Sequence, residues 1–195
     1  MNTVPNTKPL YMVVDMQNDF LMPDGALTLN APGLADKTNV FINSLDQGSY
    51  VLASTLDTHY KENYHETEEG KVFPLHCDYG TWGWQSAVQR RGTELEKSTT
   101  DIWAEEDKYQ FLRQDFKGRH VYLSGVCADI CVEQAMKGFL DRGANVAVIE
   151  DLTQGLKETP RQVFARYTQY VDCGALRLIA SKHAAQEINQ TVAGR

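Results

Sequence analysis

A chain of 195 residues with 19 Lys and Arg against 26 Asp and Glu carries a formal charge of −7. That length suits a single α/β domain spanning 1–195, and 42% hydrophobic, 10% aromatic and 23% charged residues exclude intrinsic disorder. The acidic balance argues against nucleic acid as a partner, and no apolar run approaches the ~18 residues of a membrane span. The opening residues lack a charged segment followed by an apolar one, so the expectation is a cytoplasmic protein. Its four cysteines, Cys77, Cys127, Cys131 and Cys173, have no disulfide-scaffold spacing and read as free thiols.

In chain order, PLYMVVD (9–15) is a compact apolar run ending in an acid, the pattern of a buried strand. Residues 18–29, with Pro23, Asp24 and Gly25, read as loop. A helix follows Pro32, with Leu34, Val40, Phe41 and Leu45 on its apolar positions and Gly48 ending it. A second strand covers 50–56. From Asp57 to Gly83 there is little periodicity but many His, Gly and aromatic residues, and so long an irregular stretch is usually functional. Then come a short strand (92–97), a helix (108–116), a strand (119–124) and a helix from Gly125 to about Leu140. A strand (145–149), a helix starting at Pro160 (160–170) and a last strand (175–179) complete the chain. Strands alternating with helices imply right-handed βαβ units and a three-layer α-β-α fold around a mostly parallel sheet. Ligands of such sheets sit at the carboxyl ends of the strands.

Two groups of residues fall at that edge. Asp15 ends the first strand, Lys97 ends a middle one, and Cys131 lies just past a later one, in the first turn of a helix. Cysteine attacks as thiolate, which a helix N-terminus and a nearby base both favour. Asp15 is placed to take the thiol proton and Lys97 to keep Asp15 ionised. Taken singly, each residue is equally readable as a turn cap, a surface charge and a small core residue. The second group is Asp57, His59, His65 and His76, three of the chain's five histidines within eighteen positions. Three imidazoles and a carboxylate suit zinc, iron or manganese. His120 and His183 read as ordinary.

Four segments together resemble the nicotinamidases and pyrazinamidases of the isochorismatase-like cysteine hydrolases. They are VVDMQNDFLMPDGAL (13–27), STLDTHYKENYHE (54–66), FPLHCDYGT (73–81) and GVCADICVEQAM (125–136), running in order to DLTQG at 151–155. The resemblance implies a six-stranded parallel sheet with helices on both faces and a triad of Asp15, Lys97 and Cys131. It also implies one divalent metal, zinc first with iron or manganese as alternatives, on Asp57, His59, His65 and His76. Relatives acting on other substrates generally lack that metal set. The implied reaction converts nicotinamide, and pyrazinamide, to nicotinate and ammonia through a cysteine thioester, with the metal orienting the pyridine ring. The backbone N–H groups of Cys127 and Cys131 would hold the oxyanion, with a cis peptide at Val126–Cys127. Phe20 and Phe73 match positions of aromatics beside the ring, and a homo-oligomer is implied as well.

The chain also departs from the pattern. Ala128 replaces the usual Thr, Ile130 stands where His or an aromatic is common, and TWGWQSA (81–87) brings in Trp82 and Trp84. None touches triad or ligands, but they bear on which amide is used. Asp129 reads as a structural acid fixing a loop. The alternatives to a metal-dependent nicotinamidase are a relative acting on another small amide or a vinyl ether, and a binding protein that lost turnover.

Overall fold

The computed structural model describes residues 8–89 and 92–190. Strand β1 (Leu10–Val14) is followed by a short helix α1 (Asn18–Leu21), helix α2 (Leu34–Ser44) and strand β2 (Val51–Asp57). Two 3₁₀ turns, Tyr64–Glu66 and Glu69–Lys71, interrupt the irregular stretch before β3 (Thr93–Lys97). After two more 3₁₀ turns, Ile102–Glu105 and Gln110–Arg113, come β4 (His120–Val126), α3 (Cys131–Asp141) and β5 (Asn145–Gln154). Helices α4 (Pro160–Phe164) and α5 (Thr168–Asp172), strand β6 (Leu176–Ile179) and helix α6 (Ser181–Gln190) close the described chain.

The six strands form one parallel sheet in the order β3-β2-β1-β4-β5-β6. β1 lies at its centre with all five residues buried, which is why its sequence is apolar without alternation. The pleat divides those residues between two cores. Tyr11 and Val13 face α2 and α6 through Phe41, Ile42, Ala184 and Ile188. Leu10, Met12 and Val14 face α3 through Val132, Ala135, Met136 and Phe139. Chain order reverses direction between β1 and β4, so the crevice expected of such sheets opens beyond their carboxyl ends. β4 passes β1 there at Gly125, whose φ is +128°. A Cβ at Gly125 would stand 2.1 Å from the Val14 carbonyl oxygen, so only glycine fits.

Several elements differ from the periodicity. The loop expected at 18–29 opens with α1, which buries Phe20 and Leu21. The helix expected at 108–116 is only the 3₁₀ turn Gln110–Arg113, because Tyr109 leaves the segment to clamp β3. Its hydroxyl accepts from the Glu96 N–H at 2.8 Å and donates to the Glu96 carbonyl at 3.1 Å. The helix expected at 160–170 breaks into α4 and α5. Strand β5 runs past Ile149 to Gln154 across an irregularity, its register moving from Leu123–Val148 to Gly125–Thr153. α6 had no counterpart in the pattern, since it buries only Ala184 and Ile188. Among the described residues no helix is long and apolar enough to cross a membrane.

Candidate active site

Four strand ends and one helix start converge at the carboxyl edge. Asp15 follows β1 with φ +48°, a left-handed conformation that aspartate tolerates. Thr55 of β2 fixes its carboxylate: the hydroxyl donates to Asp15 Oδ1 at 2.6 Å, and the Asp15 N–H points back at Thr55 Oγ1 at 3.2 Å. Asp57 and Lys97 end β2 and β3 as register partners, so their side chains leave the sheet together. Cys131 is the first residue of α3.

Lys97 joins these groups. Its side chain is 1% exposed, and Nζ lies 2.9 Å from Asp15 Oδ2, 3.0 Å from Asp57 Oδ1 and 3.5 Å from Cys131 Sγ. Burial would discharge the ammonium, but Asp15 and Asp57 outweigh it and hold the lysine pKa well above its usual value. For Asp57 burial acts upward, and Lys97 with the hydrogen bonds of His59 and His76 overcomes it, leaving a carboxylate well below the usual range. Asp15 goes the other way. Burial, helped by the Asp57 charge, exceeds the pull of Lys97 and raises its pKa. The Cys131 thiol is likewise pushed well up by burial, against the Lys97 charge. Burial therefore opposes the thiolate that the helix start favours, and the sulfur lies beside the Lys97 ammonium.

The second group is assembled by the irregular stretch. Asp57 Oδ2 lies 3.0 Å from His59 Nε2 and 3.1 Å from His76 Nε2. The fourth member is Glu69, not His65. Its Oε2 sits 3.6 Å and 3.9 Å from the same two nitrogens, and one ligand atom from each of Asp57, His59, Glu69 and His76 lies within 4.8 Å of the others. His65 has a side chain 74% exposed and faces Glu66 at 3.8 Å. The cause is the turn Tyr64–Glu66. Tyr64 takes the inward position, its hydroxyl 3.1 Å from His76 Nδ1, and its neighbour points to solvent. The next turn then brings Glu69 inward. Nothing in the run Glu66, Glu68, Glu69 distinguishes the inward acid; only the phase of the two turns selects it.

This donor set fits a divalent cation. Two imidazoles and two carboxylates are hard-to-borderline ligands. His76 Nδ1 lies 2.8 Å from the Pro74 carbonyl, which assigns the proton to that nitrogen and leaves Nε2 a lone pair toward the cluster. Glu69 Oε1 is buried with no hydrogen-bond partner, an orphan that a cation would satisfy. Burial lowers the His59 pKa, yet Asp57 and Glu69 raise it on balance to about 9.

The two groups share one small cavity. It is lined by Phe20, Phe73, Ile130 and Leu156 on its apolar side and by Asp57, Glu69, His76 and Cys131 on the other. Phe20 and Phe73 stand edge-on to His76, with ring centroids 5.3 and 6.3 Å away. The Val126–Cys127 peptide is cis. Val126 is wholly buried in the core and does not line the cavity, whereas Cys127 does. The intervening Ala128 N–H is taken by the Gln154 carbonyl and the Ile130 N–H by that of Cys127.

Two further side chains support the site, the first of them without a role in the sequence pattern. Gln17 is fully buried; its amide donates to the Asp57 carbonyl at 2.8 Å and its oxygen accepts from the Asp57 N–H at 2.8 Å, fixing the acid's backbone. Asp129 accepts from the N–H groups of Leu156, Lys157 and Glu158 at 2.8, 2.8 and 3.0 Å, the loop-fixing part expected of it. Trp82 is half exposed, and Trp84 donates to the Thr58 hydroxyl at 3.0 Å; neither lines the cavity.

The isochorismatase domain model matches residues 9–175. A nicotinamidase of Saccharomyces cerevisiae is 24% identical over 196 residues, covering 78% of this chain and 90% of that protein. A Bacillus subtilis protein described as an uncharacterized isochorismatase family protein, PncA, is 30% identical over 159 residues, 72% of this chain and 83% of its own. Among solved structures, a Pyrococcus horikoshii pyrazinamidase in complex with zinc superposes with a TM-score of 0.70 at 24% identity, covering 89% of this chain and 99% of that one. The domain match alone takes in most of the chain, as does the Bacillus relative, and the chain belongs to the isochorismatase family.

Proposed function

We propose that this chain is a metal-dependent amidohydrolase converting nicotinamide, and pyrazinamide, to the ring carboxylate and ammonia. One observation carries the reading: Lys97 touches Asp15, Asp57 and Cys131 together, so a thiol nucleophile and a cation-binding cluster face one cavity. Asp57, His59, Glu69 and His76 would hold one divalent ion, zinc by their chemistry, which supplies a Lewis-acidic anchor for a ring nitrogen. Phe20 and Phe73 line the cavity where a planar ring would sit.

Cys131 Sγ attacks the carboxamide carbon while its proton passes to Asp15, whose raised pKa suits it to accept. The oxyanion is received by the backbone N–H groups of Cys127 and Cys131, which donate to no protein acceptor among the described residues. Asp15 returns the proton to the departing nitrogen and ammonia leaves. A water then adds to the thioester, giving one proton to Asp15, and the thiol is restored as the acid departs. Lys97 keeps the neighbouring carboxylates in place and offsets charge on sulfur throughout. The four cysteines are unpaired, consistent with a reducing compartment, the cytoplasm.

The test is ammonia release from nicotinamide by the full chain, as isolated, after metal stripping, and after refilling with zinc. Release should follow the metal, and Cys131→Ala should lower kcat by about 10⁵-fold or more. Zinc uptake without release would redirect the reading to another small amide. Release unaffected by stripping would remove the cluster from the reaction.

A further inference from the structure

We propose that Asp19 is a positioning residue for the metal cluster: it holds the turn at Cys77 that sets His59 and His76 against each other. This rests on the reading that the cluster binds a divalent metal. Cys77 directly follows His76, is fully buried, and has φ +46°, a conformation that non-glycine residues adopt only when their surroundings impose it. Both sides of Cys77 are tied. Its carbonyl accepts the His59 N–H at 3.0 Å, so its backbone links the two candidate histidine ligands. Its N–H donates to Asp19 Oδ2 at 2.7 Å. The carboxylate is itself anchored, with Oδ1 accepting the Ala26 N–H at 2.9 Å and the Asp19 N–H donating to the Gly83 carbonyl at 3.0 Å.

Gly83 leaves room for this arrangement. A Cβ there would stand 2.2 Å from Asp19 Oδ2, inside contact distance, although the Gly83 backbone itself lies outside the left-handed region. Asp19 appears neither among the four candidate ligands nor in the cavity lining, so it acts on the cluster only through the Cys77 peptide. Partners of this kind, one step beyond the ligands, typically change metal affinity 10- to 100-fold when removed.

The experiment titrates Zn²⁺ into the metal-stripped full chain against a chromophoric chelator. Wild type is compared with Asp19→Ala, Gly83→Ala and Asp129→Ala. Asp19→Ala removes both acceptor oxygens; Gly83→Ala keeps the carboxylate but pushes it off the Cys77 N–H, and serves if the first variant does not fold. Asp129→Ala is the matched lesion, a carboxylate serving three amides in a loop without candidate ligands. The expected result is zinc affinity about 10- to 100-fold weaker in Asp19→Ala and Gly83→Ala and unchanged in Asp129→Ala, whatever the losses in Tm. Zinc affinity within twofold of wild type in both cluster variants would overturn the proposal while leaving the metal reading intact. A wild type that takes up no zinc would overturn the metal reading, and this inference with it.

Discussion

The thiol half of the site stands on strand ends and a helix start, whereas most of the cation half hangs on the irregular stretch between β2 and β3. Asp57 belongs to both. In the first half, position follows from register: Asp57 opposite Lys97, and Val14 opposite both Thr55 and Gly125. In the second, it follows from individual side chains gripping backbone, as Asp19 does at Cys77 and Tyr64 near Pro74. A sheet repeats one geometry and therefore places side chains predictably from their spacing. A loop held by single hydrogen bonds has no such rule, and one turn more or less changes which residue points inward.

The largest expected effect would break the thiol half. Lys97→Met removes the buried ammonium that pairs with both Asp15 and Asp57, themselves buried. Leaving buried carboxylates without a partner costs about 3–5 kcal/mol. Urea unfolding of the metal-stripped protein should show a loss of that size, together with loss of turnover. A change below about 1 kcal/mol would mean that these acids are not held by the lysine, and the contrast between a rigid half and an adaptable one would go with it.

A smaller effect sharpens the contrast at the opposite rim, where one carboxylate organises a loop much as Asp19 does. Burial raises the Asp129 pKa, but the N–H groups of Leu156, Lys157 and Glu158 outweigh it and hold the carboxyl below its usual value. A depressed carboxyl contributes stability that is fully present above the unfolded value of about 3.9 and is lost as pH falls through the folded one. Asp129→Ala should therefore cost about 1–2 kcal/mol near neutrality, moderated because the group is partly exposed. The gap between wild type and variant should narrow below about pH 4. A gap that stays constant down to pH 3 would show that the amides, not the charge, determine the loop.

How much was legible follows the same division. Asp15, Lys97 and Cys131 were readable as one cluster because apolar runs mark strands, and strand ends in parallel sheets share an edge. The mostly parallel sheet and the carboxyl edge as the place for a site follow from the alternation of helix and strand, whereas the strand order, and with it the crevice beyond β1 and β4, is seen only in the structure. Gln17 and Asp19 were invisible as supports, since the stretch reads as loop and their partners lie 40 and 58 positions away. Two buried residues give α6 too little periodicity to show in the sequence, and the helical pattern of 108–116 is not realised because Tyr109 spends its side chain on β3. Histidine count pointed to the right stretch for the cluster. It points to His65 where the structure gathers Glu69 with the other three, because a carboxylate serves a cation as well as an imidazole, and composition does not record which way a 3₁₀ turn faces.

The smallest expected effect is a null, and it tests that last point. His65→Ala removes an exposed imidazole whose nearest charged partner is Glu66 at 3.8 Å, so unfolding stability should stay within about 0.5 kcal/mol of wild type. Its zinc affinity, measured against the same chelator, should stay within twofold. Glu69→Ala, four residues on, removes the acid whose Oε2 faces both histidines and should weaken zinc binding by more than tenfold. The two substitutions lie in one short segment, so a general loosening of the loop would affect both alike. A tenfold loss in His65→Ala with none in Glu69→Ala would require 64–71 to rotate on metal binding, carrying Tyr64 off His76 and His65 inward. The Tyr64 hydroxyl donates to the Pro74 carbonyl at 3.1 Å and its ring is buried, so turning it out would cost that hydrogen bond and expose the ring, which opposes the rotation. Tyr64→Phe, which frees the turn while keeping the ring, is accordingly the background in which His65 would gain influence if it has any.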